Sequence, residues 1–155
     1  MIDNLEEMTF IHYGSNSFDE EMFCEICNVT FRNKPFGGLW SSPEGYYTWK
    51  EWCEGNSFHL DRLKESFRFK LKPNAKVLVL YNAKDLESLP RIKEYEGDYK
   101  LFNEDIDFEA ISKEYDAILV FVYAGEDYFD NLYQALYGWD CDTLLVMNKD
   151  VIEVI

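Results

Sequence analysis

The chain has 155 residues, of which 47% are hydrophobic and 17% aromatic, so it is a folding sequence with apolar mass for a single domain over 1–155. Thirty Asp and Glu against fifteen Lys and Arg give a formal charge of −15, a field that argues against general affinity for nucleic acid or anionic lipid. No run has the apolar length of a membrane span, and the acidic start MIDNLEEMTF has no apolar signal core, so the expectation is a cytoplasmic protein with reduced thiols.

Taken in order, Thr9 to Tyr13 is a short β-prone run stopped by Gly14-Ser15-Asn16-Ser17. Asn16 or Ser17 would cap a helix, with Asp19, Glu20 and Glu21 in its first turn and Phe18, Met22 and Ile26 on one face as far as about Val29. Arg32-Asn33-Lys34-Pro35 is a loop. Gly37 to Ser42 is a second strand whose glycines let another backbone or a ligand come close. Ser42 with Pro43 would open a helix, and Trp49 and Trp52, three apart within Tyr46 to Cys53, would share its face. A further short helix is expected over Phe58 to Glu65.

The second half is richer in strands. Ser66 to Lys72 alternates apolar and basic residues, as a half-buried strand does. Lys76 to Tyr81, Ala117 to Tyr123 and Thr143 to Met147 are continuous apolar runs and predict central strands. Asp85 to Leu89, Asp107 to Tyr115 and Tyr128 to Tyr137 predict short helices between them. The expected class is α+β, with a sheet-rich C-terminal half.

Chemistry-bearing patterns are few. Cys24-Glu-Ile-Cys27 has metal-ligand spacing but no companion pair, and neither His12 nor His59 completes a zinc site with Cys53 or Cys141, so no metal is expected. The G-x-G-x-x-G fingerprint and the P-loop are both missing. His12, Ser41 or Ser42 and Asp142 could compose a hydrolase triad, but no nucleophile elbow accompanies them. The crowd of Tyr46, Tyr47, Trp49 and Trp52 suits either a core wall or a grip on a flat ligand.

The ordered series Phe10-Ile11-His12-Tyr13-Gly14-Ser15, then Gly37-Gly38-Leu39-Trp40-Ser41-Ser42, then Tyr46-Tyr47-Thr48-Trp49, and finally Asp140-Cys141-Asp142 before Thr143-Leu144-Leu145-Val146, resembles the ADP-ribosyltransferase superfamily. The likeness is to its diphtheria-toxin and poly(ADP-ribose)-polymerase branch, and it touches about the first third and last tenth of the chain. It implies a split antiparallel or mixed β core with flanking short helices. It also implies NAD as substrate, nicotinamide as leaving group and a macromolecular acceptor, by preference protein.

By the same resemblance His12 holds the adenosine-side ribose, Tyr13 and Gly14 clamp the nicotinamide amide, and Tyr47, with Tyr46 or Trp49 as rivals, stacks on its ring. Trp40 and Ser41 belong to the glycine-led strand. Tyr13 intervenes between the histidine and glycine of the family pattern, and Thr143 stands where the family has its acid. The carboxylate is therefore expected from Asp142 or Asp140, with Glu126 and Asp127 as alternatives. Other functions open to this composition are NAD glycohydrolysis and a non-catalytic acidic inhibitor of a basic partner. The transferase or the inhibitor would suit a phage- or mobile-element-encoded effector.

Overall fold

A computed structural model of the chain describes residues 4–29, 32–92, 105–123 and 132–155. Seven strands form one mixed sheet: β1 (Phe10–Tyr13), β2 (Leu39–Pro43), β3 (Ser66–Leu71), β4 (Val77–Leu80), β5 (Ala117–Val120), β6 (Thr143–Val146) and β7 (Ile152–Val154). Their order across the sheet is β4-β5-β6-β2-β1-β3-β7. Only β4 and β5 run parallel; the other neighbours are antiparallel. The described helices are short: α1 (Trp49–Asn56), α2 (Phe108–Ser112), α3 (Leu132–Ala135) and several single 3-10 turns.

The apolar runs at Ala117 and Thr143 are central strands, as expected, because both faces of the sheet are covered there. Ile118 and Val120 face a core built with Phe108 and Ile111 of α2 and Leu132, Leu136 and Trp139. Ala117 and Leu119, alternating with them, face a second core containing Phe10, Phe67, Phe69, Leu144 and Val146. Strand β4 departs from the expectation. It lies at a sheet edge, and its Val77, Leu78 and Val79 are only half-buried. Its parallel pairing with β5 supplies one neighbour, and no other described strand follows. Strand β7 was not foreseen, since three residues at Ile152 give no readable alternation.

The helix expected up to Val29 is a correction. Only Glu20–Met22 turns, as a 3-10 piece capped by Asp19, and the chain then runs extended to a bridge between Cys27 and Phe36. Tertiary contact overrides the helical spacing, because this segment lies directly on the double glycine. The Gly38 amide donates to the Cys24 carbonyl at 2.8 Å, and a Cβ on Gly37 would sit 2.2 Å from the Glu25 carbonyl oxygen. A Cβ on Gly38 would likewise meet the Val146 carbonyl at 2.6 Å. The glycines thus admit backbone from both sides, at positive φ.

Helix α1 begins later than expected. Pro43 closes β2 rather than opening a helix. The cap is Thr48, whose hydroxyl accepts from the Glu51 amide while the Glu51 carboxyl accepts from the Thr48 amide. The region of Phe58 to Glu65 is a 3-10 turn over Leu60–Lys64, and that of Asp85 to Leu89 is one over Ala83–Leu86. Of the helix expected over Tyr128 to Tyr137, the part before Leu132 lies outside the described residues.

Candidate functional site

Strands β1 and β2 pair at only two positions, Phe10 with Pro43 and Ile11 with Ser42, and then part. His12 stands where they part. Its Nδ1 lies 2.6 Å from the Trp40 carbonyl, and since a carbonyl only accepts, Nδ1 carries the hydrogen. The imidazole therefore bridges the strands where ladder hydrogen bonds end, leaving Nε2 as an acceptor in the neutral ring. Burial pulls the His12 pKa below its ordinary value, with Arg62 adding to the depression and the Trp40 carbonyl opposing it. The neutral form is thus the one favoured near pH 7.

A cavity of about 460 Å³ opens beside this divide. It draws Ile11, His12 and Tyr13 from β1, Trp40, Ser41 and Ser42 from β2, Trp49 from α1, and Trp139 to Cys141 from the approach to β6. Cys24, Lys34, Phe36 and the double glycine complete it on the loop side. Its size falls within the range of about 300–1,000 Å³ usual for small-molecule sites. Aromatic groups dominate its walls. Trp40 meets Trp139 edge-on at 4.8 Å, and its indole N–H donates to the Gly37 carbonyl at 3.0 Å. Trp49 stacks on Trp52 at 5.0 Å, and its amide donates to the Ser42 hydroxyl at 2.8 Å, which ties the start of α1 to β2.

The expected binding residues divide accordingly. His12, Tyr13, Trp40, Ser41 and Trp49 line the cavity. Gly14, Tyr46 and Tyr47 do not, and each has a packing reason. The Gly14 amide donates to the Glu65 carbonyl at the end of β1. Tyr46 packs on Phe121 at 5.0 Å within the second core, and Tyr47 stacks on Tyr123 at 4.4 Å. The Ser41 hydroxyl donates to the Leu144 carbonyl at 2.9 Å and so joins β2 to β6, while Ser42 is bound to α1. Both serines therefore work as ties between elements, and a serine-nucleophile triad has no support in this arrangement.

The two expected acids also part company. Asp142 is fully buried and does not line the cavity. Its carboxyl accepts from the Tyr123 amide at 2.8 Å and the Tyr47 amide at 3.2 Å, and its own amide donates to the Tyr47 carbonyl at 2.9 Å. It clamps three segments together. Asp140 lines the cavity, half-buried, and its carboxyl makes no hydrogen bond or ion pair among the described residues. Glu126 and Asp127 lie outside the described residues.

Cavity residues that sequence reasoning passed over are Lys34, Trp139 and Cys141. Trp139 is almost wholly buried, with its indole N–H donating to the Asn33 carbonyl at 2.6 Å. Burial pushes the Cys141 thiol up to about 11, so it stays protonated at neutral pH. No described group of three His, Cys, Asp or Glu could hold a metal ion. All four cysteines are free, Cys24 and Cys27 exposed and Cys53 and Cys141 buried. No described helix is long and apolar enough to cross a membrane. Compared with known protein families, curated proteins and solved structures, the chain matches none.

Proposed function

We propose that the protein is an NAD-dependent ADP-ribosyltransferase that uses this cavity to bind NAD and transfers ADP-ribose to a macromolecular acceptor, by preference a protein. The observation that carries the reading is the convergence itself. His12, Tyr13, Trp40, Ser41, Trp49 and Asp140, separated by up to 128 positions (140 − 12), line one aromatic cleft at the parting of β1 and β2. The parting suits the split sheet of that superfamily, and the order of the lining residues along the chain suits its motifs.

In this reading the nicotinamide stacks on an indole face, Trp49 or Trp40, and the neutral His12 accepts a ribose hydroxyl hydrogen at Nε2. The C1′–nitrogen bond of NAD breaks with its electron pair passing to the pyridinium nitrogen, so the leaving group needs no proton. The positive charge left on the ribose is met by Asp140, whose carboxyl makes no hydrogen bond or ion pair among the described residues. An acceptor nucleophile then bonds to C1′ and releases its proton. Holding these groups together matters more than the strength of any one contact. With water as acceptor the same site would be an NAD glycohydrolase. The free thiols fit a reducing, cytoplasmic setting.

The test is incubation of the protein with labelled NAD and cell lysate, following nicotinamide release and labelled macromolecules. Turnover lost in Asp140→Asn with folding intact supports the assignment. Neither turnover nor a thermal shift with NAD would sink it and leave the acidic inhibitor, which the charge of −15 favours as the second reading. Release of nicotinamide without labelled acceptor would select the glycohydrolase.

A further inference from the structure

The Arg32-Asn33-Lys34 loop beside the cavity carries two cations, neither of them ion-paired among the described residues. Lys34 lines the cavity, half-buried, with Nζ 3.0 Å from the Gly138 carbonyl and 5.1 Å from the centre of the Trp40 ring. No carboxylate stands within ion-pair distance of it among the described residues, although the chain carries twice as many acids as bases. A half-buried ammonium loses hydration and normally recovers it through a charged partner. Lys34 instead keeps ammonium hydrogens beyond the one given to Gly138. Arg32, exposed on the same loop, makes no side-chain bond or ion pair among the described residues and repels Lys34.

The loop that holds these cations is firmly anchored. The Asn33 side chain between them donates to the Ala135 carbonyl at 2.9 Å and accepts from the Ile106 amide at 2.8 Å. The Asn33 carbonyl takes the Trp139 indole N–H. One ammonium thus lines the cleft on an anchored backbone, with the exposed Arg32 two positions away and repelling it, a repulsion that an incoming anion would relieve. We propose that Arg32 and Lys34 form a diphosphate-binding subsite, with Lys34 as the inner contact and Arg32 the outer one. This deepens the NAD reading and rests on it for the identity of the dinucleotide. The diphosphate would join a nicotinamide end at Trp49 and Asp140 to the adenosine end of the dinucleotide. Burial works against the charged form of the Lys34 ammonium, and Asp140 favours it without coming within ion-pair distance.

The experiment is calorimetric titration of the wild type, Lys34→Gln, Lys34→Arg and Arg32→Gln with NAD, ADP-ribose, inorganic pyrophosphate and nicotinamide, each variant first checked by thermal melting. The expected result is that Lys34→Gln weakens ADP-ribose and pyrophosphate about tenfold or more, and Arg32→Gln about two- to threefold. Lys34→Arg should keep most of the affinity, and nicotinamide should bind all four proteins alike. Unchanged pyrophosphate and ADP-ribose affinity in Lys34→Gln would overturn the subsite, as would an equal loss for nicotinamide. Lys34-dependent pyrophosphate binding in a protein indifferent to NAD would keep the subsite and remove the dinucleotide reading. A wild type that takes none of the four ligands removes both.

Discussion

Replacing Asp142 and Asp140 in turn separates an acid that builds the protein from one that faces its cavity. Asp142 is fully buried and its carboxyl accepts two backbone amides, from Tyr47 and Tyr123. An amide deprived of its acceptor costs about 1–3 kcal/mol, and the lower part of that range applies because Tyr123 is 52% exposed and Tyr47 half-buried. Asp142→Ala loses both bonds, so a loss of about 2–3 kcal/mol is expected. Asp142→Asn keeps one acceptor oxygen and turns an N–H toward the other amide, for about half that loss.

For a chain of this size 1 kcal/mol moves Tm by about 2–4 °C, so the Ala variant should melt roughly 4–12 °C low. Asp140→Asn breaks no hydrogen bond among the described residues and should stay within about 0.5 kcal/mol of wild type. Urea and thermal unfolding followed by far-UV circular dichroism measure both. Equal stability for Asp142→Ala and wild type would refute the clamp. A loss in Asp140→Asn as large as that in Asp142→Ala would make both acids structural.

Gly37→Ala should lower stability by about 2 kcal/mol or more and Gly38→Ala similarly, because each Cβ meets backbone closer than 3.0 Å at a positive φ; wild-type urea midpoints in both would refute the close approach. The depressed His12 pKa means that, as pH falls below about 6.5, the unfolded chain takes a proton that the folded one refuses. Stability is therefore present above that pH and lost below it, and His12→Gln should decline less between pH 7.5 and 5; parallel denaturation curves would contradict this. A thiolate-directed reagent at pH 8 should modify the exposed Cys24 and Cys27 readily and leave Cys141 and Cys53 until denaturant is added. NAD should slow the labelling of Cys24, which lines the cavity, more than that of Cys27.

What the sequence made legible was governed by local pattern. The uninterrupted apolar runs at Ala117 and Thr143 identify strands buried on both faces, and the double glycine identifies a close backbone approach before the partners are known. Spacing misled where a distant segment decides the outcome. Phe18 to Val29 has the helical period, yet only Glu20–Met22 turns, because the residues after it pack on Gly37 and Gly38 and bridge to Phe36. Aromatic residues showed the same limit. Tyr46, Tyr47 and Trp49 are near-neighbours in sequence, but a turn and a helix start send the first two into packing and the third to the cavity. Asp140 and Asp142 differ by two positions, and only the fold distinguishes their surroundings. Lys34 is invisible to motif reasoning, because its place at the cavity is set by distant partners, the Gly138 carbonyl and the Trp40 ring.

The position of β2 in the sheet has a bearing on how the chain reaches its native state. One side of β2 pairs with β1, about thirty residues earlier, whereas the other pairs Ser41 with Leu144, 103 positions later in the sequence. Its pairing with β6 closes a very long loop, which costs entropy before any burial is gained. The half of the sheet containing β1 and β3 has register pairs much nearer in sequence, such as His12 with Phe67. A kinetic order follows in which the β1–β3 half organises first and the β2–β6 seam closes late. The cavity opens where β2 parts from β1 and takes Ser41 and Thr143 from the two sides of that seam, so amides near Ser41 and Leu144 should gain protection in pulsed hydrogen exchange after those of β1 and β3. Competence to bind ligand would then be among the last properties the folding chain acquires.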